Sequence, residues 1–483
     1  MTDTIGSLLR ARAGDPHPGL LFADERWTWG EVVEASARRA DLAQRMRRPG
    51  PFHIGVCLEN VPEYLFWVGA AALAGAAVVG INTTRPVEEI ARDVRLTDCQ
   101  LIVTDRAGLA LIGDADLGVG RDRILTIDSD AYAATIAACS TALPDVDVPP
   151  ETLLLLLFTS GSTGAPKAVC CSTGRLADRG RYAAERYQFT RDDVCYNAMP
   201  LFHGNAMMGV WAPALRTGST LALAPKFTAS GFLRDVRHFR ATFFNYVGRT
   251  ISYLLATPER PDDRDNTLTR GYGTEASWKD IERFQARFGC VLTGGYGMSE
   301  GGGVNIGRTP DTPNGALGRP IVDTIIVVDP DTFAECPPAR FDADGALLNA
   351  GEAIGEIVNT AGLPNFEGYY NNPEATAERS RNGWFWTGDL AYRDEQGIFW
   401  FAGRSGDRIR VDSENFSSAP IEAVLYRFPG VAAAAVYAVP DPEGSDAVMA
   451  ALELDDGAAF DPAAFATFLG TQPDLAPKWL PQF

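Results

Sequence analysis

Short continuous apolar runs recur along the first half of the chain, separated by longer stretches in which apolar and polar residues mix. Leu20-Leu21-Phe22 leads to Trp27-Thr28-Trp29, and a helix is predicted from Gly30 to about Arg47. His53–Leu58 reads as a strand, a helix is predicted from about Pro62, and Cys99–Thr104 is another strand. Leu153–Phe158, five leucines and a phenylalanine, has the length and composition of a buried strand. Helices are predicted over about 174–187 and from Arg249 to Leu255, with a strand and turn at Phe243–Gly248 before the latter. Trp211–Leu223 is apolar and expected in the core, whereas 106–150 carries no readable motif. Strands spaced by helical segments predict parallel sheets covered by helices.

Tyr64–Ile81 is apolar throughout and at the lower length limit for a membrane span. It is rich in Ala and Gly, and Gly75 and Gly80 divide it into a helix, a turn and the short strand Ala77–Val79. A buried helix–strand unit is the expectation. The N-terminus, MTDTIGSLLRARAGD, lacks the apolar core of a signal peptide.

With 483 residues the chain has room for roughly three domains or lobes. Its net charge of −19 argues against a nucleic-acid binder, which needs a basic face. Eight cysteines are scattered without a CxxC pair, and with four histidines they predict no zinc site but reduced thiols in a cytoplasmic protein.

The Leu153–Phe158 run turns abruptly into Thr159-Ser160-Gly161-Ser162-Thr163-Gly164-Ala165-Pro166-Lys167. Gly161 and Gly164 let the backbone approach a bulky anion, while Thr159, Ser160, Ser162 and Thr163 offer hydroxyls and Lys167 a positive charge. This is the chemistry of a polyphosphate grip. It is not a Walker A loop, because Pro166 and Ala168 flank the lysine where that motif needs glycine and Ser/Thr. TSGSTGxPK closely resembles the phosphate loop of the adenylate-forming superfamily, which contains acyl-CoA synthetases, luciferases and peptide-synthetase adenylation domains.

Further motifs follow in that superfamily's order. Pro200-Leu-Phe-His203 resembles an element whose histidine sits between nucleotide and acyl pocket. Gly271–Glu275 falls where the family has a loop touching adenine, which implicates Gly273, Thr274 and Glu275. Gly294-Gly-Tyr296-Gly297-Met-Ser299-Glu300 resembles YGxTE: Tyr296 would stack on adenine, Ser299 would bond the α-phosphate, and Glu300, with Thr159, would hold Mg²⁺. The glycines Gly301–Gly303 are expected to keep the next stretch open to substrate. Gly355–Val358 begins a smaller β region, and Gly368–Glu374 matches GYYNNPE. Asp389 stands at the ribose-binding position and Arg404 at an arginine that also contacts ribose, with Gly406 at the hinge. Phe243–Leu255 and Asp412–Phe416 resemble the very-long-chain acyl-CoA synthetase and fatty-acid transport protein branch. Ser413 replaces a family glycine there, which bears on the pantetheine channel. Tyr246–Leu255 would line an acyl pocket near His203, with Gly248 limiting its size; the alternative is a plain core helix.

The resemblance implies an α/β adenylate-forming enzyme fold. A large N-terminal α/β region with a smaller β region would span 1–403, and a small α+β C-terminal lobe, apparently truncated, would span 404–483. It implies an AMP-forming acid–thiol ligase that uses ATP, Mg²⁺ and CoA on a fatty or steroid-side-chain acid, with the active site in the cleft and Lys167, His203 and Glu300 as catalytic residues. A homodimer and a peripheral membrane contact are compatible with it. Relatives carry a C-terminal lysine loop that Lys478, in Ala-Pro-Lys-Trp-Leu-Pro, does not match. The expectation is therefore that the natural protein is longer, and that the 483-residue chain binds ATP but adenylates poorly. A catalytically impaired ATP- or acyl-binding protein, a luciferase-like oxidase and a peptide-synthetase domain are the alternatives.

Overall fold

The computed structural model describes residues 3–159, 166–309, 311–342, 347–405, 408–411, 414–440, 446–455, 457–472, 475 and 479–481. Residues 160–165, Gly406, Asp412, Ser413 and Lys478 lie outside these, so the expectations placed on Ser160, Gly161, Ser162, Thr163 and Gly164 do too.

The chain divides into two units. The first comprises the chain from the N-terminus to the glycine-rich turn together with Pro166–Gly294 and Asn365–Ala375; the second comprises Gly295–Pro364 and the chain from Thr376 on.

The first unit holds two sheets with helices between the strands. One has six strands in the order Ile124–Thr126, Cys99–Thr104, His53–Cys57, Ala77–Gly80, Leu153–Thr159, Lys167–Ser172. All its neighbours pair in parallel except the last two, which pair antiparallel. In the other sheet, Val291–Tyr296, Arg270–Thr274, Phe243–Val247, Val194–Asn197, Thr220–Leu223 and Pro18–Phe22 are parallel neighbours in that order, closed by the antiparallel edge strand Glu25–Thr28. Parallel strands buried on both faces read as uninterrupted apolar runs, which is why 53–57, 77–80 and 153–159 were legible.

The predicted helix–strand unit is present. Pro62–Ala74 is helical, Gly75 ends it in the left-handed conformation, and Ala77–Gly80 is a buried strand. Among the described residues no helix is long and apolar enough to cross a membrane. The helix Trp29–Met46 starts on a reciprocal cap in which the Thr28 hydroxyl accepts from the Glu31 amide and Glu31 accepts from the Thr28 amide. The stretch without a readable motif holds two short helices, Arg106–Ile112 and Asp130–Ala137, and the strand Ile124–Thr126.

The segment Asn365–Ala375 returns to the first unit and closes its six-stranded sheet. Tyr369 bridges Val169, the Cys170 amide donates to the Gly368 carbonyl, and the Tyr370 amide donates to the Ala168 carbonyl. Glu367 accepts from both the amide and the hydroxyl of Ser172.

The second unit contains an antiparallel four-stranded sheet in the order Ile325–Val328, Gly355–Asn359, Phe385–Arg393, Phe399–Arg404. Trp386 is in its core and Trp384 partly covers it. Towards the C-terminus come two hairpins, Arg408–Val411 with Glu414–Ser417 and Val431–Pro440 with Asp446–Leu454, and the helices Ser418–Leu425 and Pro462–Gly470. They share an apolar cluster that includes Ile409, Ile421, Leu425, Val448 and Leu469.

Candidate functional site

In the first unit, Leu153–Thr159 and Lys167–Ser172 pair antiparallel on either side of the glycine-rich stretch of sequence. Thr159 pairs directly with Lys167 across it. Residues directly opposite in an antiparallel pair project from the same face, so a hydroxyl and an ammonium flank the base of the loop. Lys167 is 9% exposed, and its ammonium lies over the Tyr369 ring at 5.5 Å. The Gly368–Glu374 motif thus both pairs with the strand bearing Lys167 and gives that lysine an aromatic seat. This role of Tyr369 depends on a contact two hundred residues away in the chain, and no local pattern announces it.

His203 precedes the short helix Gly204–Ala206, and although part of the residue reaches solvent its ring is flanked by protein. Flanking protein withholds water from its imidazole and Arg85 repels its charged form, so it titrates below the ordinary value. It is therefore a neutral ring at pH 7. Asn205, two residues on, donates to the Tyr246 carbonyl at 3.4 Å and accepts from the Asn245 amide at 2.7 Å.

Three expectations need correction here. Gly271–Thr274 lies in a strand rather than a loop; only Glu275, with φ of 67°, turns away at its end. The glycines are needed for packing, since a Cβ on Gly271 would meet Phe244 at 2.6 Å and one on Gly273 would meet the Tyr246 carbonyl at 2.2 Å. The helix Gly248–Leu255 turns Ile251 and Leu254 into an aromatic core with Phe232, Phe244 and Phe284, so that face is core rather than pocket wall. Gly248 faces backbone: a Cβ there would lie 2.2 Å from the Glu275 carbonyl oxygen.

In the second unit, Asp389 and Arg404 are cross-strand partners. Arg404 Nε stands 3.5 Å from Asp389 Oδ1, and the Tyr296 hydroxyl donates to Oδ2 at 2.5 Å. Asp389 is 9% exposed. Burial pushes its carboxyl above the usual range, against the pull of Tyr296 and Arg404, and burial with the Asp389 charge pushes the Tyr296 hydroxyl well up. Sequence reasoning missed the group that holds this turn. Glu356 is buried on the neighbouring strand and accepts from the Gly388 amide at 2.6 Å, while the Ser405 hydroxyl donates to the Gly388 carbonyl at 2.9 Å.

Glu300 is 6% exposed, and Ser299 and Gly297 are half-buried beside it in the chain. The three glycines that follow have positive φ, and they are packed rather than open to substrate. A Cβ on Gly302 would meet the Phe385 ring at 2.1 Å, and the Gly302 carbonyl accepts from Asn359 at 3.0 Å. Among the described residues no group of three or more His, Cys, Asp or Glu side chains is placed to hold a metal.

The first unit thus carries a hydroxyl and a lysine at the ends of a glycine-rich segment, and the second a Tyr296–Asp389–Arg404 set around a buried carboxylate. The chain belongs to the AMP-binding enzyme family, which it matches over residues 10–370. It is 55% identical over 482 residues to the steroid-22-oyl-CoA synthetase of Rhodococcus jostii (strain RHA1), covering 99% of this chain and 87% of that protein. It is 43% identical to the medium/long-chain-fatty-acid–CoA ligase FadD17 of Mycobacterium tuberculosis, over 99% of this chain and 92% of that one. The structure of ATP-bound MatB from Rhodopseudomonas palustris superposes with a TM-score of 0.84 at 25% identity, covering 100% of this chain and 94% of that one.

Proposed function

We propose that this chain, an AMP-forming acid–CoA ligase, activates medium- to long-chain or steroid-side-chain carboxylic acids. The extended likeness to the steroid-22-oyl-CoA synthetase and to FadD17 supports that acid class. The observation that carries the chemistry is the Thr159–Lys167 pair at the base of the phosphate loop, with Lys167 seated on Tyr369.

A carboxylate is a poor electrophile, so the acid is activated first. One carboxylate oxygen bonds to the α-phosphorus of ATP, the bond from that phosphorus to the bridging oxygen breaks, and pyrophosphate leaves. Lys167 and the loop amides stabilise the charge that moves onto the β- and γ-phosphates. Glu300 and Thr159 are the residues that would hold Mg²⁺, which would supply neutralisation of phosphate charge. Asp389 and Arg404 hold the ribose, Tyr296 lies against adenine, and Ser299 bonds the α-phosphate. Gly273, Thr274 and Glu275 border the nucleotide, and His203 offers a neutral imidazole to the incoming carboxylate. In the second step the CoA thiolate bonds to the acyl carbon, the carbon–oxygen bond to phosphate breaks, and AMP leaves.

The division at 403/404 and hinge movement belong to this reading; a separate apolar cluster after residue 408 supports them. So does a cytoplasmic location, supported by eight cysteines that are all free thiols. A homodimer and a peripheral membrane contact rest on the family resemblance alone. The test is acyl-CoA formation from a panel of fatty and steroid-side-chain acids with ATP and CoA, read by mass spectrometry together with AMP release. AMP release without any acyl-CoA would point to a luciferase-like oxidase or a hydrolytic side reaction and defeat the proposal.

A further inference from the structure

The side chain of Asn245 is 2% exposed, and among the described residues its Oδ1 atom has no hydrogen-bond partner. Its orientation is fixed by its neighbours. The Tyr246 carbonyl can only accept, so the atom of Asn205 facing it at 3.4 Å is the amide nitrogen. Asn205 then presents its oxygen to Asn245, which must answer with its own amide nitrogen at 2.7 Å. Flipping either amide would set two acceptors, or two donors, against each other. Asn245 Oδ1 is left as a buried acceptor that calls for a donor, and an unmet buried acceptor is costly.

Its surroundings indicate which donor. Side chains alternate along a strand. Phe244 and Tyr246 point into the aromatic cluster with Phe232 and Phe284, so Asn245 points to the opposite face with Phe243 and Val247. That face meets the segment after His203, where Met207–Trp211 forms a π-helical turn, an irregularity frequent at functional sites. Val247, Met208 and Tyr272 are only partly buried there. The acceptor is therefore set among apolar groups, and its partner Asn205 stands two residues after the histidine assigned to the acid.

We propose that Asn245, oriented by Asn205, is a specificity-determining residue of the acid-binding face, accepting a hydrogen bond from a hydroxyl group on the hydrocarbon skeleton of the acid. This rests on the acid–CoA ligase reading above. A site built to bond a hydroxyl discriminates against the analogue that lacks it, because its buried polar group is then left unpaired.

The experiment compares kcat/KM for acyl-CoA formation with stearate, a positional series of monohydroxystearates, and a steroid-side-chain acid with and without a ring hydroxyl. It uses the wild type, Asn245→Leu and Asn245→Ala, with melting temperature and ATP KM as controls. At least one hydroxy acid is expected to exceed its parent by about tenfold in the wild type, the worth of one net hydrogen bond. In either variant that ratio falls to about one while the parent acid is used as well as before or better, with CoA KM unchanged. Parity of every hydroxy acid with its parent in the wild type overturns the inference and leaves the ligase reading intact; that arm needs no variant to fold. A preference that persists in a folded variant also overturns it, assigning the acceptor to a buried water. Absence of acyl-CoA from every acid overturns the ligase reading and this inference with it.

Discussion

The Tyr296 hydroxyl donates to Asp389 at 2.5 Å, so the carboxylate expected to take the ribose already has one oxygen engaged. Tyr296→Phe keeps the ring and removes that bond, whereas Tyr296→Ala removes both. The expected ATP KM rises less than tenfold for the first and further for the second; equal effects would remove the ring from the adenine contact. Asp389→Ala loses hydrogen bonds to a charged group and raises ATP KM about 10–100-fold.

The same carboxyl carries a stability signature. Burial raises its pKa in the folded state, so its favourable contribution is present in acid and lost as pH rises through the raised value. Asp389→Asn is therefore expected to melt higher than the wild type at neutral pH, with the gap closing towards pH 4, while ATP use falls. Asp15 has the opposite sign: a hydrogen bond from Arg191 holds it down at about 2. Asp15→Asn should lower the melting temperature above pH 4, and the deficit should fade as the pH falls towards 2. Melting curves across pH 2–8 read both.

His203 is neutral above a pKa held below the ordinary 6.5. The acidic limb of kcat/KM that it governs should lie below pH 6.5. Arg85→Gln removes a repelling charge and should move that limb upward; His203→Gln should abolish it. A limb that stays put in both variants belongs to another group.

Glu300→Ala is expected to reduce pyrophosphate exchange on the order of 10²–10³, the cost of one preorganised charge-stabilising group. Raising the Mg²⁺ concentration should recover part of the loss. Unchanged exchange would release Glu300 from the metal.

Gly248→Ala places a Cβ against the Glu275 backbone, where nothing flexible can give way. The expected result is a loss of about 1–3 kcal/mol in stability, as for other overpacked sites. Activity should fall alike for short and long acids. A selective loss of long acids would restore the size-limiting role that the sequence suggested.

What the sequence made legible was whatever local pattern encodes. Uninterrupted apolar runs declared the parallel strands. Motif strings marked Lys167, Glu300, Asp389 and Arg404. What stayed hidden depends on partners distant in the chain. Lys167–Ser172 is a strand because Leu153–Thr159 pairs with it, and nothing in Lys-Ala-Val-Cys-Cys-Ser requires that. Gly271 and Gly273 look like loop residues, yet they serve close strand packing against Phe244 and Tyr246. Glu356 supports the Asp389 turn from another strand, through a backbone amide that no pattern marks.

The return of Asn365–Ala375 to the first unit has a bearing on how the protein is made. Synthesis is vectorial, and domains tend to fold as they emerge. Here the strand bearing Lys167 waits for Tyr369, two hundred residues later, before its outer edge is covered. Until then a nascent chain exposes a strand able to recruit a stranger's backbone. A fragment ending at Gly294 would keep that exposure permanently and should aggregate, although most of its unit is present. The ribosome must therefore deliver the chain through Ala375 before the phosphate-loop hairpin is safe from its neighbours.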